Sequence, residues 1–287
     1  MRFYAYLITD FLVLQVYPGL VIIARMVEST TNNLFSSPLL PAVDQELEEM
    51  IKTGVHLGHA KSKTHPAMQP YIFGVRNTIS LIDLIKTKEK MAEALNFIKG
   101  IMAKNGLVLL VGTRPAARKV ILDTAEKTKM PYFAERWIGG TLTNLRVISK
   151  RVEYMEELEK AKAAGEFAKY TKKERMNKEE EIVKLNRNFH GLRNLKRLPD
   201  AVFVVNITHD DTAVREARRM KIPVVALVDT NSNADLIDYS IPSNDDALPA
   251  VRYMVGRIGE AIEEGQKQSA LLLTGEQSEN PRAGASV

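Results

Sequence analysis

The chain has 287 residues, no cysteine, and 40 Lys and Arg against 35 Asp and Glu, a formal net charge of +5. That length suits one large α/β domain with appendages, and the lack of cysteine excludes disulfides and thiolate metal sites and favours a reducing compartment. The positive excess is local: Thr141 to Leu198 holds 15 Lys and Arg against 9 Asp and Glu, while the remainder nets −1, and charge clustered in this way suits a nucleic-acid partner.

Residues 1–25 are very apolar, but Asp10, Gln15, Pro18 and Gly19 interrupt the run. A membrane-spanning helix needs about 20 consecutive apolar residues, so no span is expected. No convincing small-residue cleavage site follows Arg2. The alternative to a signal or anchor is a start set too early, with Met26 as initiator. Residues 27–43 are polar and read as a flexible arm. Asp44 to Lys52 reads as a short helix. A loop with no acidic residue runs from Thr53 to Arg76, with Lys61, Lys63 and Arg76 as its cations. It is either a solvated loop or one that lies on phosphates.

Ile72 to Val75 and Thr78 to Ile82 read as two short strands around an Arg76-Asn77 turn. Asp83 caps a helix to about Ala103, and Asn105-Gly106 ends it. Leu107 to Val111 is a buried-type strand. Pro115 opens the next helix at the position where proline is favoured. A short strand begins at Pro131, and Arg136-Trp137-Ile138-Gly139-Gly140 leaves the sheet.

The segment from Thr143 to Leu195 breaks the α/β rhythm. Leu145, Ile148, Val152 and Met155 are spaced 3-4-3, as are Ile182, Leu185, Phe189 and Leu192. Gly165 separates the two series, and Thr171 to Glu174 has a capping-box pattern. The expectation is an antiparallel hairpin of two helices with coiled-coil seams.

Beyond Pro199, Ala201 to Val205 and Val224 to Val228 are strands suited to burial on both faces. Asp210 and Asp211 open the helix between them, and Pro223 stops it. This βαβ unit fixes the class as α/β with a parallel sheet. Ile237 to Ile241 is a last strand and Asn244 to Gln266 a last helix. The tail after Lys267 reads as disordered.

Such a sheet invites a search for a cofactor. Its turns, GTRPAARK and NITHDD, lack the G-x-G-x-x-G phosphate cradle, and no P-loop or nucleophile elbow occurs. No cofactor is expected. His56, His59 and His65 have metal-like spacing, but backbone or phosphate hydrogen bonding accounts for them and no metal site is expected. His209-Asp210-Asp211 could pair a base with an acid, but helix capping explains the aspartates without chemistry. Asp229 to Asn233 lies where active-site loops lie in this fold, and nothing nearby completes a catalytic set. Arg114 and Arg118 flank a helix N-terminus, and Arg136 stands beside the one tryptophan. Arg146, Lys150, Arg151, Arg193, Lys196 and Arg197 lie at opposite ends of the hairpin sequence, so antiparallel pairing would gather them into one basic patch. The alternative is a solvated helix surface.

The motifs GVHLGHAKSKTHPAMQPYIFGVRN, RWIGGTLTN, TKKE, LPDAVFVVNITHDDTAVREARRMKIPVVALVDTNSN and IPSNDDA occur in this order. Together they resemble the bacterial ribosomal protein S2 family of the small subunit, over about residues 44 to 266. The resemblance implies a flavodoxin-like α/β domain with an inserted antiparallel coiled-coil hairpin. The expected division is an extension at 1–43, the α/β domain at 44–140 and 199–266, the hairpin at 141–198 and a tail at 267–287. It also implies a non-enzymatic structural constituent of the small ribosomal subunit, cytoplasmic and within the ribosome. Its expected partners are small-subunit (16S) rRNA and neighbouring small-subunit proteins, including the large mRNA-binding one that it helps recruit. No membrane association and no homo-oligomer are expected. The candidate rRNA contacts are Lys61, Lys63, Arg76, Arg114, Arg118, Arg136, Arg146, Lys150, Arg193, Lys196 and Arg197. The alternative is a nucleotide- or sugar-phosphate-binding enzyme of flavodoxin-like fold.

Overall fold

Three strands, β4 (Val108–Val111), β6 (Ala201–Val204) and β7 (Val224–Val228), contain no polar residue, and every side chain in them is buried. Strands of this kind need cover on both faces, which fits the parallel sheet they form. With β5 (Tyr132–Phe133) and β8 (Tyr239–Pro242) they make a five-stranded sheet in the order β5-β4-β6-β7-β8. All four pairings are parallel, with Leu110 opposite Phe203 and Phe203 opposite Val225. Numbered from its own first strand, this is the 2-1-3-4-5 order of flavodoxin-like sheets.

The computed structural model describes residues 45–278. The expectations for residues 1–43 and for the end of the tail lie outside the described residues. The chain divides into two units, residues 1–52 and 53–287. All but the last residue of the described helix α1 (Gln45–Thr53) belongs to the first, with Glu46 and Glu48 in its first turn and Lys52 in its last, as the helix dipole favours. The second unit holds everything that follows.

That unit begins with a three-stranded antiparallel sheet of β1 (Leu57–Ala60), β2 (Ile72–Arg76) and β3 (Ile79–Ile82). Leu57 to Ala60 reads as loop in sequence because Gly58 and His59 hide a strand of only 4 residues. Asn77 and Thr78 both take positive φ, 46° and 69°, as a two-residue hairpin turn demands. Asp83 accepts from the Ile85 N–H at 3.0 Å and caps α2 (Leu84–Ala103). Then follow α3 (Pro115–Thr128), α4 (Leu145–Ala163), α5 (Lys172–Phe189), α6 (Asp211–Arg219) and α7 (Leu248–Ser278). The last helix continues past Lys267, where the sequence reading places a disordered tail. Gln268 to Leu273 contains good helix formers, and the Gly- and Ser-rich composition begins only afterwards.

Side chains alternate across the strands. Leu109, Val111, Val202, Val204, Val224 and Ala226 face one cluster with Ala213, Val214 and Ala217 of α6. Helices α2 and α3 pack on α7, and α2 also meets β8. The inner ends of α4 and α5 join the α6 cluster through Ile148, Val152, Met155 and Phe189, with Leu192 from the 3₁₀ turn after α5. Their outer ends hold a separate small cluster of Leu158, Phe167 and Ile182. Early residues of α4 therefore meet late residues of α5, and the two helices run antiparallel. The capping box is present, with the Thr171 N–H donating to Glu174 at 2.9 Å. Among the described residues no helix is long and apolar enough to cross a membrane.

Candidate nucleic-acid interface

The segment from His56 to Arg76 is tied to the carboxyl end of the parallel sheet by Thr230 and, through His59, by Asp229. Thr230, buried just after β7, accepts from the His59 N–H through Oγ1 at 2.8 Å and from the His65 N–H through its carbonyl at 2.8 Å. Gly58 permits this approach, because a Cβ there would stand 2.5 Å from the Thr230 methyl carbon. Thr64 and Ser80 share a further hydrogen bond of 2.9 Å. Lys61 and Lys63 ride on a 3₁₀ turn above these anchors, exposed and with no ion pair among the described residues. Arg76 ends β2 half-buried, with Nη1 enclosed and without a hydrogen bond.

The three histidines of this segment take different roles. His56 is largely buried, and burial lowers its pKa. His59 lies between two carboxylates, with Nδ1 3.1 Å from Asp229 and Nε2 3.2 Å from Asp246. The His65 imidazole accepts from the Ala67 N–H and caps the next 3₁₀ turn. Beside His59, Asp245 is enclosed and pushed up to about 8, first by burial and then by the charge of Asp229, against the pull of Arg114. Its Oδ2 accepts from Asn206 at 2.7 Å. Arg114 pairs with Asp246 and lies 3.8 Å from Asp245, so its charge is met within the protein.

Helix capping does not account for Asp210. It occupies the N-cap of α6 without a capping hydrogen bond. Its buried carboxylate instead accepts from the Thr113 hydroxyl at 2.7 Å and the Thr113 N–H at 3.4 Å, tying the β6 turn to the β4 turn. Asp211 pairs with Arg215 at 2.7 Å.

The two helices α4 and α5 gather only part of the expected basic patch. A groove of about 310 Å³ does bring Arg193 and Lys196 against Ser149, Val152, Glu153 and Glu156 of α4. Arg193 Nη2 donates to both oxygens of Glu159 at 2.8 Å and to Asn186 at 3.0 Å. Burial alone would raise the Glu159 pKa, but donors from Asn186 and Arg193 bring it below the ordinary value. Arg193 is thus a clamp between the helices. Arg197 pairs with Asp200 at 2.9 Å and lines a different groove, with Asn105 and Gln266. Arg146, Lys150 and Lys196 are exposed and have no ion pair among the described residues.

Arg118 donates to the Thr113 carbonyl at 3.0 Å and pairs with Glu135 at 3.2 Å. Arg187 of α5 reaches the same Glu135 at 3.2 Å. Arg136 is exposed next to buried Trp137. The sequence reading does not select Lys184 or Arg187, which join Arg118 and Arg136 around one cavity. Their i, i+3 spacing on α5 marks a shared face, but nothing in the local sequence says that this face meets the ends of β4 and β6. Glu216 is also missed. It is buried and accepts from five donors of the Trp137–Thr143 loop, which it shapes.

These features define an α/β protein with a flavodoxin-like sheet, an added pair of charged helices, and exposed cations on turns and on the start of α4. The family model described as ribosomal protein S2 matches residues 50–265. The chain belongs to the ribosomal protein S2 family, whose members are small-subunit ribosomal proteins of a structural class.

Proposed function

We propose that the chain is a structural constituent of the small ribosomal subunit that docks on 16S rRNA, supports translation, and helps recruit the large mRNA-binding protein of that subunit. The observation that carries this reading is the set of exposed cations without carboxylate partners among the described residues: Lys61, Lys63, Arg146, Lys150 and Lys196. Lysine and arginine that are not neutralised internally are available to phosphates, and phosphate contacts position a protein on RNA without reading sequence. Arg114, Arg118, Arg193 and Arg197 contribute less, because each already meets a carboxylate. Residues 141–198 act in this reading as a coiled-coil hairpin insertion that widens the contact surface. The reading places the chain in the cytoplasm, within the ribosome, and without catalytic activity.

Co-sedimentation with small subunits across a salt series tests it. Binding that weakens steeply with salt, and less steeply after Lys61→Ala and Lys63→Ala, is the expected result. Binding that ignores salt, or no co-sedimentation, would overturn the reading.

A further inference from the structure

The winding of the parallel sheet reverses between β4 and β6, since β5 lies on one side of β4 and β6 to β8 on the other. In doubly wound sheets, phosphate-bearing ligands sit in the crevice beyond the strand ends at such a reversal. A cavity of about 700 Å³ opens at that point, reaching both Thr113 and His209. Helices α3 and α6 begin beside it, so the positive ends of two helix dipoles are close by.

Its charge comes from Arg118, Arg136, Lys184 and Arg187, set against Glu135 and Asp210. Four cations and two carboxylates leave a net +2. Both carboxylates are engaged: Asp210 with Thr113, and Glu135 with Arg118 and Arg187 at 3.2 Å each. Arg136 has no ion pair among the described residues, and Lys184 has only a long contact of 3.8 Å to Glu180 on the helix surface.

We propose that this cavity binds a nucleoside 5′-phosphate, with the phosphate held by the side chains of Arg118, Arg136, Lys184 and Arg187. A phosphomonoester carries about −1.5 to −2 charge at neutral pH, which complements the net charge of the walls. Glycine-poor turns cannot wrap their backbone around a phosphate, and here side-chain cations replace that cradle. Guanidinium groups suit the task because they donate in pairs to phosphate oxygens. The volume leaves room for ribose and base beside the phosphate. This site goes beyond the rRNA reading, which is carried by Lys61, Lys63, Arg146, Lys150 and Lys196, although Arg118 and Arg136 are also among the candidate rRNA contacts.

The test uses the full chain and calorimetric titration with AMP, inorganic phosphate, adenosine, and a short single-stranded RNA lacking a 5′-phosphate. AMP should bind, inorganic phosphate should compete with it, and adenosine should not bind. Arg136→Ala and Lys184→Ala should each weaken AMP about tenfold with the melting temperature unchanged. Glu135→Gln should strengthen binding, because it releases Arg118 and Arg187 and removes a negative charge. A purely structural role for Glu135 would not produce tighter binding. Lys61→Ala and Lys63→Ala should leave AMP binding as it was, which separates this site from the rRNA surface. The proposal is overturned if AMP does not bind at millimolar concentration, whether or not inorganic phosphate does. It is also overturned if the Arg136 and Lys184 variants bind AMP as the parent does, or if only the RNA strand binds.

Discussion

The indole N–H of Trp137 donates to the carboxylate of Glu216 at 3.1 Å, joining residues 79 positions apart. The same carboxylate accepts from the N–H groups of Gly140, Leu142 and Thr143. Burial alone would raise the Glu216 pKa, but these donors more than offset it and hold the group below its ordinary value. One acidic side chain on α6 thereby fixes the segment that leads from the sheet into α4.

Glu216→Gln preserves size but replaces one accepting oxygen with an amide that donates. The loss should be about 2–4 kcal/mol, since a buried N–H is left unsatisfied and a charged hydrogen-bond acceptor is removed. A depressed carboxylate pKa stabilises the fold above the unfolded value near 4.5, and this contribution is lost as pH falls through the folded value. Thermal melts should therefore show a large gap between parent and variant at neutral pH that narrows in acid. A gap independent of pH would mean that shape, not charge, matters at this position.

Arg193 and Lys196 are neighbours in sequence with opposite expected phenotypes. Arg193→Ala strands Glu159 and Asn186, and should lower stability by about 1–2 kcal/mol in denaturant titrations. Lys196→Ala should leave stability within about 0.5 kcal/mol. It should also reduce the salt slope of rRNA binding by about one unit. If Lys196→Ala leaves the slope unchanged, that side chain is not a phosphate contact.

Thr78 is a β-branched residue at φ 69°. The left-handed region is strained for such a side chain, whereas glycine adopts it freely. Thr78→Gly should stabilise the β2–β3 hairpin, raising global stability by about 0.5–1 kcal/mol. Chemical denaturation would detect this, and a loss of stability would show that the Thr78 side chain contributes more than its strain costs.

Gly191 lies after α5 where the chain passes β5, and a Cβ there would stand 2.3 Å from the Tyr132 carbonyl oxygen. Neither backbone can yield without moving the end of α5 or the sheet edge. Gly191→Ala should destabilise by about 1–3 kcal/mol, which differential scanning calorimetry would register as a lower melting temperature.

The centre of the sheet was legible because β4, β6 and β7 are continuous apolar runs bounded by Gly, Pro and Asp, and Pro115 and Asp83 mark helix starts in their own sequence. The 3-4-3 series around Val152 and Phe189 likewise announced two helices. The basic residues were legible only as charges. Arg193 and Lys196 look alike in sequence, and only the position of Glu159, 34 residues earlier, separates a clamp from an open cation. Asp210 shows the same limit. It has the sequence signature of a helix cap, yet Thr113 from another strand turn takes its carboxylate. Partners that topology brings across the sheet leave no local trace.

The hold of Thr230 on the His59–His65 segment spans 171 positions along the chain. Contacts of such separation close late in folding, and translation proceeds from the N-terminus. The segment bearing Lys61 and Lys63 is made early and can pair at once with β3, but its anchor on the parallel sheet is missing until β7 and Thr230 have been synthesised. An incomplete nascent chain would therefore carry these lysines without their final geometry. The shape that presents them arises only once nearly the whole domain exists, so that surface matures together with the domain.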